Sequence, residues 1–266
     1  SAAWMWGRFR RVAKSRTALG KDYLGYIEGG TDAYVSALAG SLRDRGAELR
    51  TGESVERVVI EDGRARGVVC GGRKVPADYV LSTVPIPSFV KMVDDQPGPY
   101  FDNLRRLKYI GVRVMLLQLN RPFSPYFWLN ISDPEIDLAG IIEYTNLNPS
   151  AAPAGSAILY LPQYMSSAHP LGTAKDEDLL DLYCDYLHRL NPAFDRSWVT
   201  GYRVHRDPYA QPICGLDFVS RIPSMRTPVE GLYLTDSYQL HPGDRTICDS
   251  TQLGKDAARL IRSGGP

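Results

Sequence analysis

The stretch that decides the reading is Gly231–Ser250, GLYLTDSYQLHPGDRTICDS. Four strand-like residues end in Thr235-Asp236, and a polar loop follows with Pro242 and Gly243. Asp244-Arg245-Thr246 then leads into a run with helical character to the end of the chain. That run places Ile247, Ser250, Gly254, Ala257, Ala258 and Ile261 on one helical face. Small residues at such spacing let a helix backbone come close to what lies beneath it, so tight helix–sheet packing is expected. A helix starting at Thr246–Cys248 would present unpaired N–H groups and a partial positive charge towards the crook between strand and helix.

Working outward, the chain has 266 residues, 44% of them hydrophobic and 23% charged, with a formal net charge of +1. That is ample for a real core, as one large domain or two intimate ones. The balanced charge gives no electrostatic argument for nucleic acid. The four cysteines (Cys70, Cys184, Cys214, Cys248) form no CxxC pair, and the four histidines are equally dispersed, so no metal site or disulfide framework is expected. A reducing, cytoplasmic compartment fits this usage. No apolar run approaches the roughly 18 residues of a membrane span.

From the N-terminus, AAWMWGRFRRVAKSR is cationic and aromatic. Its Trp4, Trp6 and Phe9 are expected to dock on the protein body, in preference to a peripheral membrane contact. Leu24–Glu28 is strand-like, Gly29-Gly30 is a turn, and Thr31 can cap a helix that Gly46 stops. Alternating residues after Glu48, with Asp62-Gly63 between two runs, predict a hairpin. Tyr79–Leu81 reads as an apolar strand before Ser82-Thr83-Val84-Pro85. From Tyr109, four strand candidates precede the helix KDEDLLDLYCDYLHRL, and RSWVTGYRVHRDPYAQPI is a further long strand. The fold class is therefore α+β.

The ordered segments GYIEGGTDAYVSALAGSLRDRGAELRTGESVERVVIEDGRARGV, ADYVLSTVP and VEGLYLTDS…DRTICDSTQLGKDAARLI resemble the FAD-dependent amine oxidase, protoporphyrinogen oxidase and phytoene desaturase superfamily, in particular its bacterial protoporphyrinogen-oxidase-like branch. The resemblance implies a partial, Rossmann-like FAD-binding domain plus an antiparallel-sheet substrate domain with covering helices. It divides the chain into 1–22 (N-terminal helical segment of the substrate domain), 23–88 (middle FAD segment), 89–224 (substrate domain) and 225–266 (C-terminal FAD segment). It implies that Gly29-Gly30 starts the helix leading into the middle FAD segment and that main-chain groups of Val55 meet the adenine. By the same resemblance, Thr83 and Pro85 would mark the crossover to the substrate domain. Thr235, Asp236, Asp244, Arg245, Thr246 and Ile247 would then wrap the pyrophosphate, ribitol and flavin ring. Thr235 stands where the family usually has glycine. The helix start, with Arg245 beside it, would stabilise negative charge on a phosphate or flavin edge.

No GxGxxG occurs in a strand–turn–helix setting. The expectation is that a βαβ unit, within roughly 200 upstream residues, comes from elsewhere, in cis or in trans. FAD would then belong to the intact protein and be held weakly or not at all by this chain. Substrate contacts are expected from the antiparallel sheet, at Arg113, Tyr160, Tyr164 and Arg203, and from Tyr209 and Gln211 in the loop after the long strand. No catalytic residue is named, since a flavin carries the redox chemistry. The function expected is oxidation of a small organic substrate by hydride transfer to flavin. The alternatives are a flavin-dependent sugar-nucleotide mutase relative, which would use Arg113 and Arg203 on a diphosphate, and a non-catalytic subunit.

Overall fold

A computed structural model describes residues 2–15, 25–166, 169–243 and 245–264. The chain forms two compact units, Ser1–Leu107 with Cys214–Pro266, and Lys108–Ile213. No helix among the described residues is long and apolar enough to cross a membrane.

The first unit opens with α1 (Ala2–Ser15) and α2 (Gly30–Asp44). Gly29 and Gly30 have φ of 81° and 75°, a left-handed pair that side chains resist, and they turn the chain into α2. Gly29, without a side-chain bond, is the residue that caps this helix, so Thr31 falls inside its first turn instead of capping it. Nor does 25–28 form a strand. Strands β1 (Val55–Glu61), β2 (Arg64–Cys70) and β3 (Arg73–Pro76) make an antiparallel meander. The expected hairpin turns at Asp62-Gly63, with both residues at positive φ (50° and 73°), as a tight two-residue turn requires.

Next come β4 (Val80–Ser82), α3 (Ile86–Met92) and α4 (Pro99–Arg106). Both helices escaped the sequence reading, although each carries proline in its first turn, where the missing N–H costs nothing. The substrate domain was expected to begin at 89, yet α3 and α4 belong to the first unit. Their packing explains this: α3 lies against β1 and α4. Tyr100 Oη donates to Ser224 O (2.8 Å) and Asn103 Nδ2 to Arg221 O (3.0 Å), tying α4 to the returning chain. The helix at the N-terminus likewise groups with this unit.

The second unit is one five-stranded antiparallel sheet, β6-β7-β8-β5-β9 in spatial order. It comprises β5 (Tyr109–Leu119), β6 (Trp128–Asn130), β7 (Gly140–Glu143), β8 (Ala157–Met165) and β9 (Val199–Pro212), with α5 (Asp176–Leu190) before the last strand. Strand periodicity places Arg113, Met115, Leu117 and Leu119 on one face of β5. Across from them, Leu159, Leu161 and Gln163 of β8 share that face. Leu179, Leu180, Tyr183 and Leu187 of α5 close over these apolar residues, giving a core in which Leu117, Leu159 and Leu161 are fully buried. Each such leucine contributes about 1.5–3 kcal/mol. Acidic residues 176–178 and the basic pair His188-Arg189 sit at opposite ends of α5, matching its dipole.

The returning chain supplies β10 (Leu232–Leu234) and α6 (Ile247–Ser263). β10 pairs in parallel with β4, Leu232 to Val80 and Leu234 to Ser82.

Candidate functional site

The carboxyl ends of β4 and β10 form the corner on which the sequence reading turned. Thr235 N donates to Ser82 O at 2.8 Å, so the parallel pairing persists to the strand ends. Ligands of parallel α/β sheets gather at such ends, where strands hand over to loops. Asp236 is buried there, and its side chain has work in the fold: Oδ1 accepts from Tyr238 N at 2.8 Å and Oδ2 from Ile86 N at 3.3 Å. Gln239 Oε1 in turn accepts from Asp236 N (3.0 Å), completing a reciprocal cap on the short turn Ser237–Leu240. The acid thus joins the end of β10 to the start of α3.

Two buried polar atoms at or near this corner, Ser82 Oγ and His241 Nε2, have no hydrogen-bond partner among the described residues. Buried polar groups are normally satisfied, and exceptions mark a missing partner or a functional role. Burial pushes the His241 imidazole below its ordinary pKa, which keeps it neutral. Neither Ser82 nor His241 is among the cofactor residues expected from the sequence. The strand-end position of Ser82 was the signal that could have singled it out.

Helix α6 starts as expected. Thr246 caps it, accepting from Asp249 N at 3.1 Å and donating to Asp249 Oδ2 at 2.7 Å. The N–H groups of Ile247 and Cys248 belong to the first turn, which the helix's own carbonyls cannot reach. Arg245 is exposed and Thr246 half-buried beside them. Asp244 lies outside the described residues. The small-residue stripe does not pack as anticipated. Ala257 alone is buried on α6, while Ser250, Gly254 and Ala258 are exposed, and a Cβ added at Gly254 would meet nothing within 4 Å. The other segments connect through contacts: α3 packs on β1, the strand that Val55 begins, and Tyr34 Oη of α2 reaches Thr251 Oγ1 of α6 at 3.3 Å. Gly29 and Gly30 lead into that same α2. Thr83 is exposed, and Pro85 precedes α3 as its cap.

The residues present suit a phosphate-bearing group in part. An orphaned hydroxyl at a parallel strand end and a helix start with an adjacent cation are what such a group needs. Thr235, 5% exposed, carries a side chain where close backbone approach would need glycine.

The substrate candidates separate into two sets. Arg113 is 1% exposed and is not on an open sheet surface. Its guanidinium donates to Leu171 O, Gln163 Oε1 and Tyr183 Oη, and Tyr183 Oη donates to Gln163 Oε1 at 3.0 Å. The alternation of β5 puts it under α5, where it acts as a tether between sheet and helix. Tyr160 and Arg203 lie on the opposite face of the sheet, each directly across from Leu116. Tyr164, 48% exposed, is on that face also, across from Val112. Tyr209 and Gln211 are not in a loop. They belong to the last residues of β9, Gln211 across from Ile110 and the Tyr209 ring edge-on to Tyr109 at 5.8 Å. The N-terminal aromatics also depart from expectation: Trp6 and Phe9 of α1 are 64% and 63% exposed, while backbone packing at Gly7 brings the helix against Pro242.

Comparison with known proteins agrees with this architecture. The chain is 27% identical over 163 residues to the zeta-carotene-forming phytoene desaturase of Myxococcus xanthus, covering 54% of this chain and 32% of that protein. Among solved structures, an A394C mutant of putrescine oxidase superposes with a TM-score of 0.68 at 16% identity, over 89% of this chain and 53% of that one. Reduced UDP-galactopyranose mutase gives 0.59 at 17% identity, over 81% and 48%. The chain thus spans between a third and about half the length of these relatives. The family model for flavin containing amine oxidoreductases matches residues 5–262, nearly the whole chain. With the parallel β4–β10 corner, the antiparallel sheet and this match together, the chain belongs to the flavin containing amine oxidoreductase family.

Proposed function

We propose that this chain is the substrate-binding and cofactor-closing part of an FAD-dependent oxidoreductase acting on a small organic substrate. The observation that carries the proposal is the buried, unpartnered Ser82 Oγ at the carboxyl end of the parallel β4–β10 pair, in a chain matched by this family's model. When bound, the flavin supplies the redox chemistry by accepting a hydride. The chain's own residues hold and orient. Ser82 Oγ offers a hydrogen bond at the corner, the first turn of α6 and Arg245 favour negative charge, and Val55 lies on the strand against α3. Asp236 fixes the corner's shape by bonding the starts of two helical segments.

β4 and β10 are the parallel strand pair among the described residues, beside an isolated parallel bridge between Arg64 and Glu230, and no GxGxxG stands in the sequence. In this reading a dinucleotide-binding segment, in cis or in trans, completes the FAD site. Its contacts are charge-assisted hydrogen bonds, each worth about 1.5–3 kcal/mol. The purified chain should therefore retain little FAD alone, and gain it when mixed with a GxGxxG-bearing segment of a family member. A stoichiometric flavin band in the chain by itself would remove the need for a second segment. Absence of flavin from both preparations would remove the flavoprotein reading. The mutase alternative has weaker support, since Arg113, one of its two arginines, is engaged inside the core.

A further inference from the structure

The register of the five-stranded sheet aligns a row of side chains on the face away from α5. Trp128 stands across from Ile142, Ile142 from Tyr160, Tyr160 from Leu116, and Leu116 from Arg203. One residue from each strand contributes, so the row spans four inter-strand steps, about 19 Å. The two faces differ sharply in burial. Met115 and Leu117 are fully buried on the α5 side, whereas the alternate residues Val114 and Leu116 are half-buried and Trp128 is 52% exposed. At the row's middle, the Tyr160 ring meets Tyr144 edge-on at 6.1 Å, a rigid apolar platform. At its end the Arg203 guanidinium is exposed and has no hydrogen-bond or ion-pair partner among the described residues. Gly201, the next residue on that face, adds no side chain there and has only Gln118 Oε1 beside it, and His205 on the other side adds a second donor. The nearest acid along the strand on this face, Asp207, accepts from Tyr209 N at 2.8 Å and is two alternations away from Arg203.

We propose that this sheet face receives an amphiphilic substrate, its apolar body laid along Tyr160 and Leu116 towards Trp128, and its carboxylate-class anionic end on Arg203. The assignment rests on the oxidoreductase reading and narrows its substrate. Arginine is always charged and forks onto a carboxylate, so one unpaired arginine terminating an apolar row selects an anionic end over a neutral or cationic one.

The test uses the purified 266-residue chain without flavin and three probes sharing one alkyl chain: laurate, dodecanol and dodecyltrimethylammonium. Binding is read by calorimetry and tryptophan fluorescence, since Trp128 lies in the row. Laurate should bind at least about tenfold tighter than the cationic probe, the worth of a charge-assisted bond. Arg203→Gln should erase that preference while dodecanol binding stays, and Arg203→Lys should restore part of it. Leu116→Asp should weaken laurate and dodecanol alike. Equal affinity for all three probes, or an unchanged laurate preference in Arg203→Gln, overturns the proposal. So does a shift of the sedimenting species from dimer to monomer in Leu116→Asp, with no probe bound by either protein, because a second copy would then be the occupant. The readout needs no flavin. Arg203-dependent laurate binding with failed FAD reconstitution keeps this inference and sinks the oxidoreductase reading, and flavin binding without laurate preference does the reverse.

Discussion

The two units of this chain solve the same problem unequally. In Lys108–Ile213, one continuous segment closes a core in which Leu117, Leu159 and Leu161 are fully buried between sheet and helix. The other unit is assembled from two distant segments, and its α2 buries no residue at all: Val35, Leu38 and Leu42 are 53%, 48% and 38% exposed. Its parallel pair has two short strands of three residues each, and the unpartnered Ser82 Oγ lies at their end. Ile86, Phe89, Leu232 and Leu234 of the same unit are fully buried, so the contrast teaches that burial is uneven within this unit and that α2 stands outside its core. A helix such as α2, with apolar residues at helical spacing and nothing buried, has the pattern without the partner.

Deep truncations should expose the contrast most strongly. Leu161→Ala, at a fully buried position of β8, should cost about 2–5 kcal/mol, whereas Leu38→Ala on α2 should stay within about 0.5 kcal/mol. Urea unfolding of both variants gives the two numbers, and similar losses would erase the distinction between the units. A smaller effect tests whether the first unit is locally well specified despite its exposed helix. Asp236→Ala removes the acceptor for Tyr238 N and Ile86 N and should cost about 1–2 kcal/mol. No change in unfolding midpoint would mean that the acid is held for a ligand and not for the fold.

The smallest effect has opposite signs in the two units. Burial lowers the His241 pKa in the first, so the folded form prefers neutral imidazole. Its contribution is present above the ordinary histidine range and is lost as pH falls through the lowered pKa. Burial raises the Glu143 carboxyl in the second, partly offset by hydrogen bonds from Phe123 N, Ser124 N and Ser124 Oγ. The folded form there binds its proton more readily, so that contribution is present below the ordinary glutamate range and is lost as pH rises through the raised pKa. Mild acidification should loosen amide exchange near His241 and tighten it near Glu143. His241→Phe and Glu143→Gln should each flatten the slope at its own site, and parallel slopes in both regions would count against the burial account.

The second unit was legible in the sequence because its signals are local: alternation in YIGVRVMLLQLN, and helical spacing with charge polarity in KDEDLLDLYCDYLHRL. Alternation even implied that Arg113 shares a face with Met115 and Leu117, but not which face α5 would cover. Its polar partners Gln163 and Tyr183 lie 50 and 70 residues away, beyond any local pattern. At the corner, the cap at Thr246 and the end of β10 could be read directly. The engagement of Asp236 by Ile86 could not, since it spans 150 residues and needs a helix that the prolines obscured. Burial of the Ser82 Oγ was hidden for the same reason: it depends on a parallel partner strand 152 residues downstream.

The connection between the units is also a statement about assembly order. Lys108 O accepts from Ile213 N at 2.9 Å, so the second unit's two ends meet as a closed stem. Once that stem forms, Leu107 and Cys214 are neighbours, and the entropy of closing a loop of about a hundred residues, roughly 4 kcal/mol, has already been met. The scattered halves of the first unit then find each other as if joined by a short tether. The inserted sheet works as a clasp, and a lesion in its core should delay pairing of β4 with β10 without touching either strand.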